Sequence, residues 1–319
     1  MSTIRKISGL VILTAFVFAP LFAETAAKRN YGFSLSPYFG ALYGRSEEIV
    51  YQDPPRQNFY LSELLWDLKP LLYTGIGADL RPLDSSVRQG SFAELSFRAG
   101  LPARTGIIEN RDWQNPGETF LTDYSRHAAH SRTAFLLDVS AGYFWRFFEP
   151  LALNVYGEFS YMHFSWSALD GYGQYANPSQ WNSNLPALIF SGEVLRYAQN
   201  WFILSPGVSL AWDMNRLFAL ETHFSYTPLI FCSARDDHLE RNLTFRDYVR
   251  FGHYVKFGGG LILSPSYNTD VSLFASYKRI TGTRGDSYTG GEIAYNGAGA
   301  ALSALDFGLA VKFRLTGRE

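Results

Sequence analysis

FLLDVSAGYFWRF, residues 135–147, alternates along its whole length. One set of positions reads Phe135, Leu137, Val139, Ala141, Tyr143, Trp145, Phe147; the other reads Leu136, Asp138, Ser140, Gly142, Phe144, Arg146. Successive side chains of a strand point to opposite faces, so this segment has one apolar face and one that is largely polar. Leu151 to Tyr161 repeats the pattern, with Leu151, Leu153, Val155 and Phe159 against Asn154, Tyr156, Glu158 and Ser160. So does the C-terminal stretch, where Leu305, Phe307, Leu309, Val311, Phe313 and Leu315 oppose Asp306, Gly308, Ala310, Lys312 and Arg314. A soluble sandwich also alternates. The length of these strands, the aromatic clusters at their ends and gaps that alternate between short and long favour an all-β, ten-stranded antiparallel transmembrane β-barrel. The strands are expected at roughly 31–44, 60–80, 88–104, 133–148, 151–168, 188–212, 217–232, 244–264, 269–281 and 303–315. Short turns are expected near Pro82-Leu83-Asp84, Glu149-Pro150, Asp213-Met214-Asn215 and Ser264-Pro265-Ser266, and long loops at 45–59, 105–132, 169–187, 233–243 and 282–302.

Composition agrees. The 319 residues carry 18% charged and 17% aromatic side chains, including 20 Tyr, 26 Phe and 7 Trp. So many aromatics exclude a disordered chain, and past residue 22 no apolar run reaches the roughly 20 residues of a membrane helix. A net charge of -1 gives no footprint for nucleic acid. The single Cys232 excludes an internal disulfide and a cysteine-based zinc site, and nothing calls for a cofactor. Arg5 and Lys6 precede the uncharged run Ile7 to Phe22, followed by Ala23; this reads as a signal peptide over 1–23, with one barrel domain over 24–319. Few cysteines in an exported chain fit a bacterial envelope.

Chemistry is sought in the long loops. On an extended segment Asp236 and His238 point the same way, as do Asn110 and Asp112. A carboxylate beside an imidazole holds one tautomer and raises its basicity, so the pair can serve as a general base toward water. Taken alone, Asp-x-His belongs more often to a solvated loop. Ser125-Arg126-His127 sets a serine near a histidine without a third orienting group in the sequence. Gly258-Gly259-Gly260 lacks the lysine and helix of a phosphate loop and fits close strand packing. Cys232 reads as a small apolar filler.

These segments, in their order, resemble one family. Leu61-Ser62-Glu63-Leu64-Leu65-Trp66 is similar to the return strand of the first hairpin of the omptins, ten-stranded outer-membrane aspartyl proteases. Arg111-Asp112-Trp113, Asn115-Pro116-Gly117 and the run Thr122-Asp123-Tyr124-Ser125-Arg126-His127 resemble their second loop. Asp236-Asp237-His238 resembles their catalytic Asp-x-His, with Thr244-Phe245-Arg246 following at family spacing; Tyr295-Asn296-Gly297-Ala298-Gly299 resembles the last loop. The resemblance implies an extracellular cleft in which Asp236 and His238 form a dyad facing an acid pair across a nucleophilic water. Asp112 is one member of that pair. The other falls on Asn110, a departure: an amide positions water but neither takes a proton nor adds charge.

The resemblance also implies cleavage of peptides or proteins after a basic side chain held by two buried carboxylates. Glu48 matches the first. The second falls on Ala234, and Asp247 is the candidate that restores the charge. Outer-membrane lipid is the implied surroundings. The positions that bind lipopolysaccharide in the family hold Phe159, Tyr161, His163 and Asn200, so that basic motif is not retained. Two alternatives stay open: a catalytically silent barrel acting as an adhesin or structural protein, and a small pore. A lumen filled by side chains such as Arg146, Glu158 and Lys312 disfavours the pore.

Overall fold

The computed structural model describes residues 31–51, 60–82, 87–115 and 118–315. The signal-peptide segment, Leu83-Asp84, Pro116-Gly117 and the last four residues, 316–319, lie outside them. Six long strands run unbroken: β1 (Tyr31–Tyr51), β2 (Tyr60–Pro82), β5 (Asp123–Phe148), β6 (Leu151–Tyr175), β7 (Leu188–Asp213) and β14 (Glu292–Arg314). The other four staves are each broken in two: β3 (Gln89–Gly100) and β4 (Ala103–Asp112), β8 (Phe218–Thr227) and β9 (Ile230–His238), β10 (Leu243–Arg250) and β11 (His253–Ser266), β12 (Thr269–Thr281) and β13 (Arg284–Thr289). Proline at 102 and 228 removes a ladder donor at two breaks. At a third, Gly252 has φ +153, and a Cβ there would lie 2.7 Å from the Thr281 carbonyl oxygen.

The pairing is antiparallel throughout and closes β14 onto β1, so ten staves form a barrel. A lower ring runs β1-β2-β3-β5-β6-β7-β8-β11-β12-β14. In the upper ring β4 replaces β3, β9 replaces β8, β10 replaces β11 and β13 replaces β12. The expected ten staves are present. Their upper ends reach higher than the sequence suggests: among the described residues most of 105–132, 233–243 and 282–302 is strand rather than loop, with strands at that end stopping at Asp112, Tyr175, His238 and Thr289 and resuming at Asp123, Leu188, Leu243 and Glu292.

Around the lower ring the expected outward faces are exposed, among them Phe135, Val139, Phe147, Leu305, Phe307 and Leu309. Their neighbours Asp138, Ser140, Asn154, Glu158 and Asp306 turn inward. An apolar belt around a closed barrel is the face such a fold turns to lipid. Above it the outer wall becomes charged, with Arg45, Glu47, Glu63, Glu109, Arg111, Arg235 and Asp237 in strands facing out and paired among themselves, as in Arg45–Glu47 at 3.2 Å and Arg111–Glu109 at 2.9 Å, and with Asp67 paired to Lys69 at 2.6 Å.

The lumen is filled. At its lower level Arg98 bridges Asp138 and Asp306, the latter at 2.7 Å; Lys278 joins Asp306 at 3.3 Å, and Lys256 grips Glu158 at 2.7 Å. Arg146 and Lys312 pair with Asp213 and Asp79. Over this sits an aromatic plug of Trp66, Trp166, Tyr197 and Trp201, each at most 1% exposed, with Trp66 stacked on Tyr197 at 5.2 Å. Gly258 and Gly259 do mark close packing, since a Cβ on either would meet a neighbouring strand's carbonyl oxygen at 2.4 Å.

Candidate active site

Above the plug, the inward positions of the upper ring carry most of the chemistry. Asp236 and His238 are the last inward residues of β9, opposite Tyr197 and Leu195 of β7. Two residues apart on one strand, they share a face, and His238 Nε2 lies 2.6 Å from Asp236 Oδ2. Asp236 is 2% exposed and His238 23%. The bond makes Nε2–H the donor and leaves Nδ1 as the basic nitrogen. Phe245 of β10, across from Asp236, sets its ring edge-on to the imidazole at 5.4 Å.

Asn110 and Asp112 end β4, facing inward. Asp112 stands across from Ser62 on β2 and from Asp123 on β5. Asn110 Nδ2 donates to Asp112 Oδ2 at 3.1 Å, and the Ser62 hydroxyl donates to Asn110 Oδ1 at 3.1 Å. Burial raises the carboxyl of Asp112 above its ordinary range, and the Asp123 charge adds to this; the hydrogen bond from Asn110 and the cation of Arg241 oppose it. Arg241 belongs to the 239–242 turn that follows His238, so the field of that turn reaches the β4–β5 hairpin on the other wall.

A second acidic group lies deeper. Glu48 of β1 is 3% exposed and Asp247 of β10 is 6% exposed. Asp247 is the direct cross-strand partner of Ala234, so its carboxylate stands beside position 234, on the same inward face. Burial, then the charges of Asp236 and Asp247, push the Glu48 carboxyl well above the usual range. Burial likewise raises Asp247 to about 6, opposed by a Ser287 hydrogen bond and reinforced by Asp236. Glu48 Oε2, Asp236 Oδ1 and Asp247 Oδ1 are all buried without a hydrogen-bond partner. Three such oxygens on mutually interacting carboxylates make a pocket whose unmet demand is for positive charge. Among the described residues no group of three or more His, Cys, Asp or Glu has the arrangement to hold a metal ion.

Sequence reasoning missed the floor of this pocket. Gln199, fully buried, bonds Ser46 across the lumen, donates to the Glu47 carbonyl at 3.0 Å and to the Tyr197 hydroxyl at 2.7 Å, and accepts from Trp201 Nε1 at 3.1 Å. A glutamine in phase with Tyr197 and Trp201 was the available signal. Sequence reasoning also gave Ser62 no role at the site. Ser125 and His127 do meet at 3.2 Å, and the Asp170 carbonyl accepts from Nδ1 as the orienting group. Both are buried, and burial lowers the histidine's basicity, so the pair pins β5 to β6. Cys232 is fully buried. On the outer wall Tyr161 donates to Asn200 Oδ1 at 3.0 Å, and His163 bridges Asn200 and Thr133 at 2.9 Å.

Known proteins share this architecture. The chain is 24% identical to the plasminogen activator of Yersinia pestis over 287 residues, covering 86% of each protein. Its fold superposes on the crystal structure of the outer membrane protease OmpT from Escherichia coli with a TM-score of 0.78, at 19% identity, covering 89% of this chain and 97% of the other. The Omptin family model matches residues 29–315, and the chain therefore belongs to the omptin family.

Proposed function

We propose that this chain is an outer-membrane surface endopeptidase, its cleft facing outward from the cell, that cleaves peptides and proteins after basic residues. The observation that carries this reading is the buried Asp236 carboxylate bonded at 2.6 Å to a partly exposed His238. In the proposed mechanism a water sits between His238 and the Asn110–Asp112 pair. His238 Nδ1 takes its proton as the water oxygen bonds to the scissile carbonyl carbon. Asp236 stabilises the imidazolium that forms. When the carbon–nitrogen bond breaks, His238 returns the proton to the leaving amine.

Glu48 and Asp247 would receive the basic side chain before the cut, through charge-assisted hydrogen bonds to their unpartnered oxygens. Membership of the omptin family and the likeness to a plasminogen activator support a protease. Residues 1–23 are read as the export signal and 24–319 as the barrel domain.

Refolded protein incubated with a fluorogenic Arg-Arg peptide tests the reading. Cleavage after arginine that disappears in His238→Ala is the expected outcome. A folded wild type inert on this and on a mixed peptide library overturns it in favour of a silent adhesin or structural barrel.

A further inference from the structure

The residue beside Asp112 is an amide whose orientation is fixed. Ser62 donates to Asn110 Oδ1, which turns Nδ2 toward Asp112 Oδ2. Asp112 is 9% exposed, and Asn110 and Asp112 occupy successive inward positions of β4 against Leu64 and Ser62 of β2. Two carboxylates side by side in such a place do not both ionise freely; they share one proton and titrate as a pair. An amide N–H in one of the two places is that shared hydrogen made permanent, because it does not dissociate in the range where proteins fold.

We propose that Asn110, aimed by the Ser62 hydroxyl, locks the Asn110–Asp112 pair in the singly charged, internally hydrogen-bonded form that an acid pair reaches over only part of the pH range, leaving Asp112 Oδ1 for the water. The inference rests on the protease reading for its kinetic consequence but not for its geometry. Asn110 here is a positioning residue for Asp112, and Ser62 for Asn110. The charged and titratable groups facing the pair are Asp123 from β5, Tyr175 from the end of β6, Glu240 and Arg241 from the 239–242 turn and, across the water of the proposed mechanism, His238 from β9. Asp123 is itself tied down, accepting from the backbone N–H of Ala176 at 2.9 Å and of Asn177 at 3.2 Å. None of these supplies a second dissociable proton between Asn110 and Asp112.

The test is a pH–rate profile on the Arg-Arg peptide with wild type, Asn110→Asp, Ser62→Ala and Ser62→Thr, joined to a titration of the Asn110 side-chain amide by nitrogen–proton NMR. The wild-type kcat/KM should rise through one acidic limb and then stay flat. Asn110→Asp should acquire an alkaline limb, falling by up to about tenfold per pH unit once the shared proton is lost. Ser62→Ala should lower kcat with KM little changed, and Ser62→Thr should restore it.

The Asn110 amide signals, identified by their loss in Asn110→Asp, should shift with a single ionisation, that of Asp112. An Asn110→Asp profile that superimposes on the wild type, or that rises above it at high pH, overturns the lock. A kcat unchanged in Ser62→Ala overturns the role of Ser62. If the wild type is inert at every pH while its Asn110 amide follows the Asp112 ionisation, the protease reading fails and the locked pair stands. An amide blind to that ionisation overturns the pair whatever the activity.

Discussion

Asp247→Asn should make the barrel more stable and the enzyme worse. The carboxyl of Asp247 titrates at about 6 instead of the 3.8 of a solvated aspartate. Below about pH 4 both folded and unfolded chains hold the proton, and the residue costs nothing. Between those values the unfolded chain releases its proton first, so the native state is penalised progressively, and the penalty is complete above about pH 6. At about 1.4 kcal/mol per pH unit this amounts to roughly 3 kcal/mol.

The substituted amide is neutral and escapes that penalty. Burying it with a polar atom unpartnered, as Oδ1 now is, offsets about 1 kcal/mol. The net effect should be a gain of about 2 kcal/mol at pH 8 and a loss of about 1 kcal/mol at about pH 3.5. Urea unfolding of protein refolded into lipid vesicles, followed by tryptophan fluorescence at both pH values, measures it. The same variant should lose about 10- to 100-fold in kcat/KM on peptides with arginine before the cut, the worth of a charge-assisted hydrogen bond. Equal stability changes at the two pH values, or a variant less stable at pH 8, would refute the reasoning about this pocket.

His238→Ala should lower kcat by about 10²- to 10⁴-fold, the usual loss of a general base, while the barrel still runs as a folded species on unheated gels. Glu48→Gln should depress cleavage after arginine and lysine more than any other single pocket change; a variant whose cleavage profile is unaltered would remove Glu48 from specificity. Leu309→Arg should cost roughly 2–4 kcal/mol, because an arginine on the lipid face has no partner. At inward Ala310 arginine should cost less, and equal losses in a refolding titration would contradict the facing of β14.

The lipid-facing part of the barrel was legible because one rule held along Phe135–Phe147 and Leu305–Leu315: apolar out, polar in. Above the belt the rule inverts. On β2 the inward residues become Leu64 and Trp66, and the outward ones Glu63 and Asp67. A reader tracking outward grease loses the strand there, which is why Asn110, Asp112, Asp236 and His238 were sought in loops and found on strands. The spacing of Asp236 and His238 still told the truth, since both strands and extended loops place i and i+2 together. Asp247 was only a candidate in sequence because its relation to Ala234 is a pairing register between strands, which no local pattern encodes. Ser62 acts through Asn110, 48 residues away in the chain, and was unreadable for the same reason; Gln199 bonds Ser46 across 153 residues, and only its phase with Tyr197 and Trp201 pointed to it.

That inversion also acts as a depth gauge. Sliding the barrel inward by one pleat would carry Arg45, Asp67 and their neighbours toward hydrocarbon; sliding it outward would strand Phe39 and Tyr43 in water. Neither shift is tolerable, so the molecule has one height. Glu48 lies five residues beyond Tyr43 on the same strand, roughly 16 Å along it at about 3.3 Å per residue. The acidic pocket at Glu48 is thus held at a fixed stand-off from the lipid. Polypeptide segments that project past the headgroups come within reach, while those lying flat against the bilayer pass beneath it.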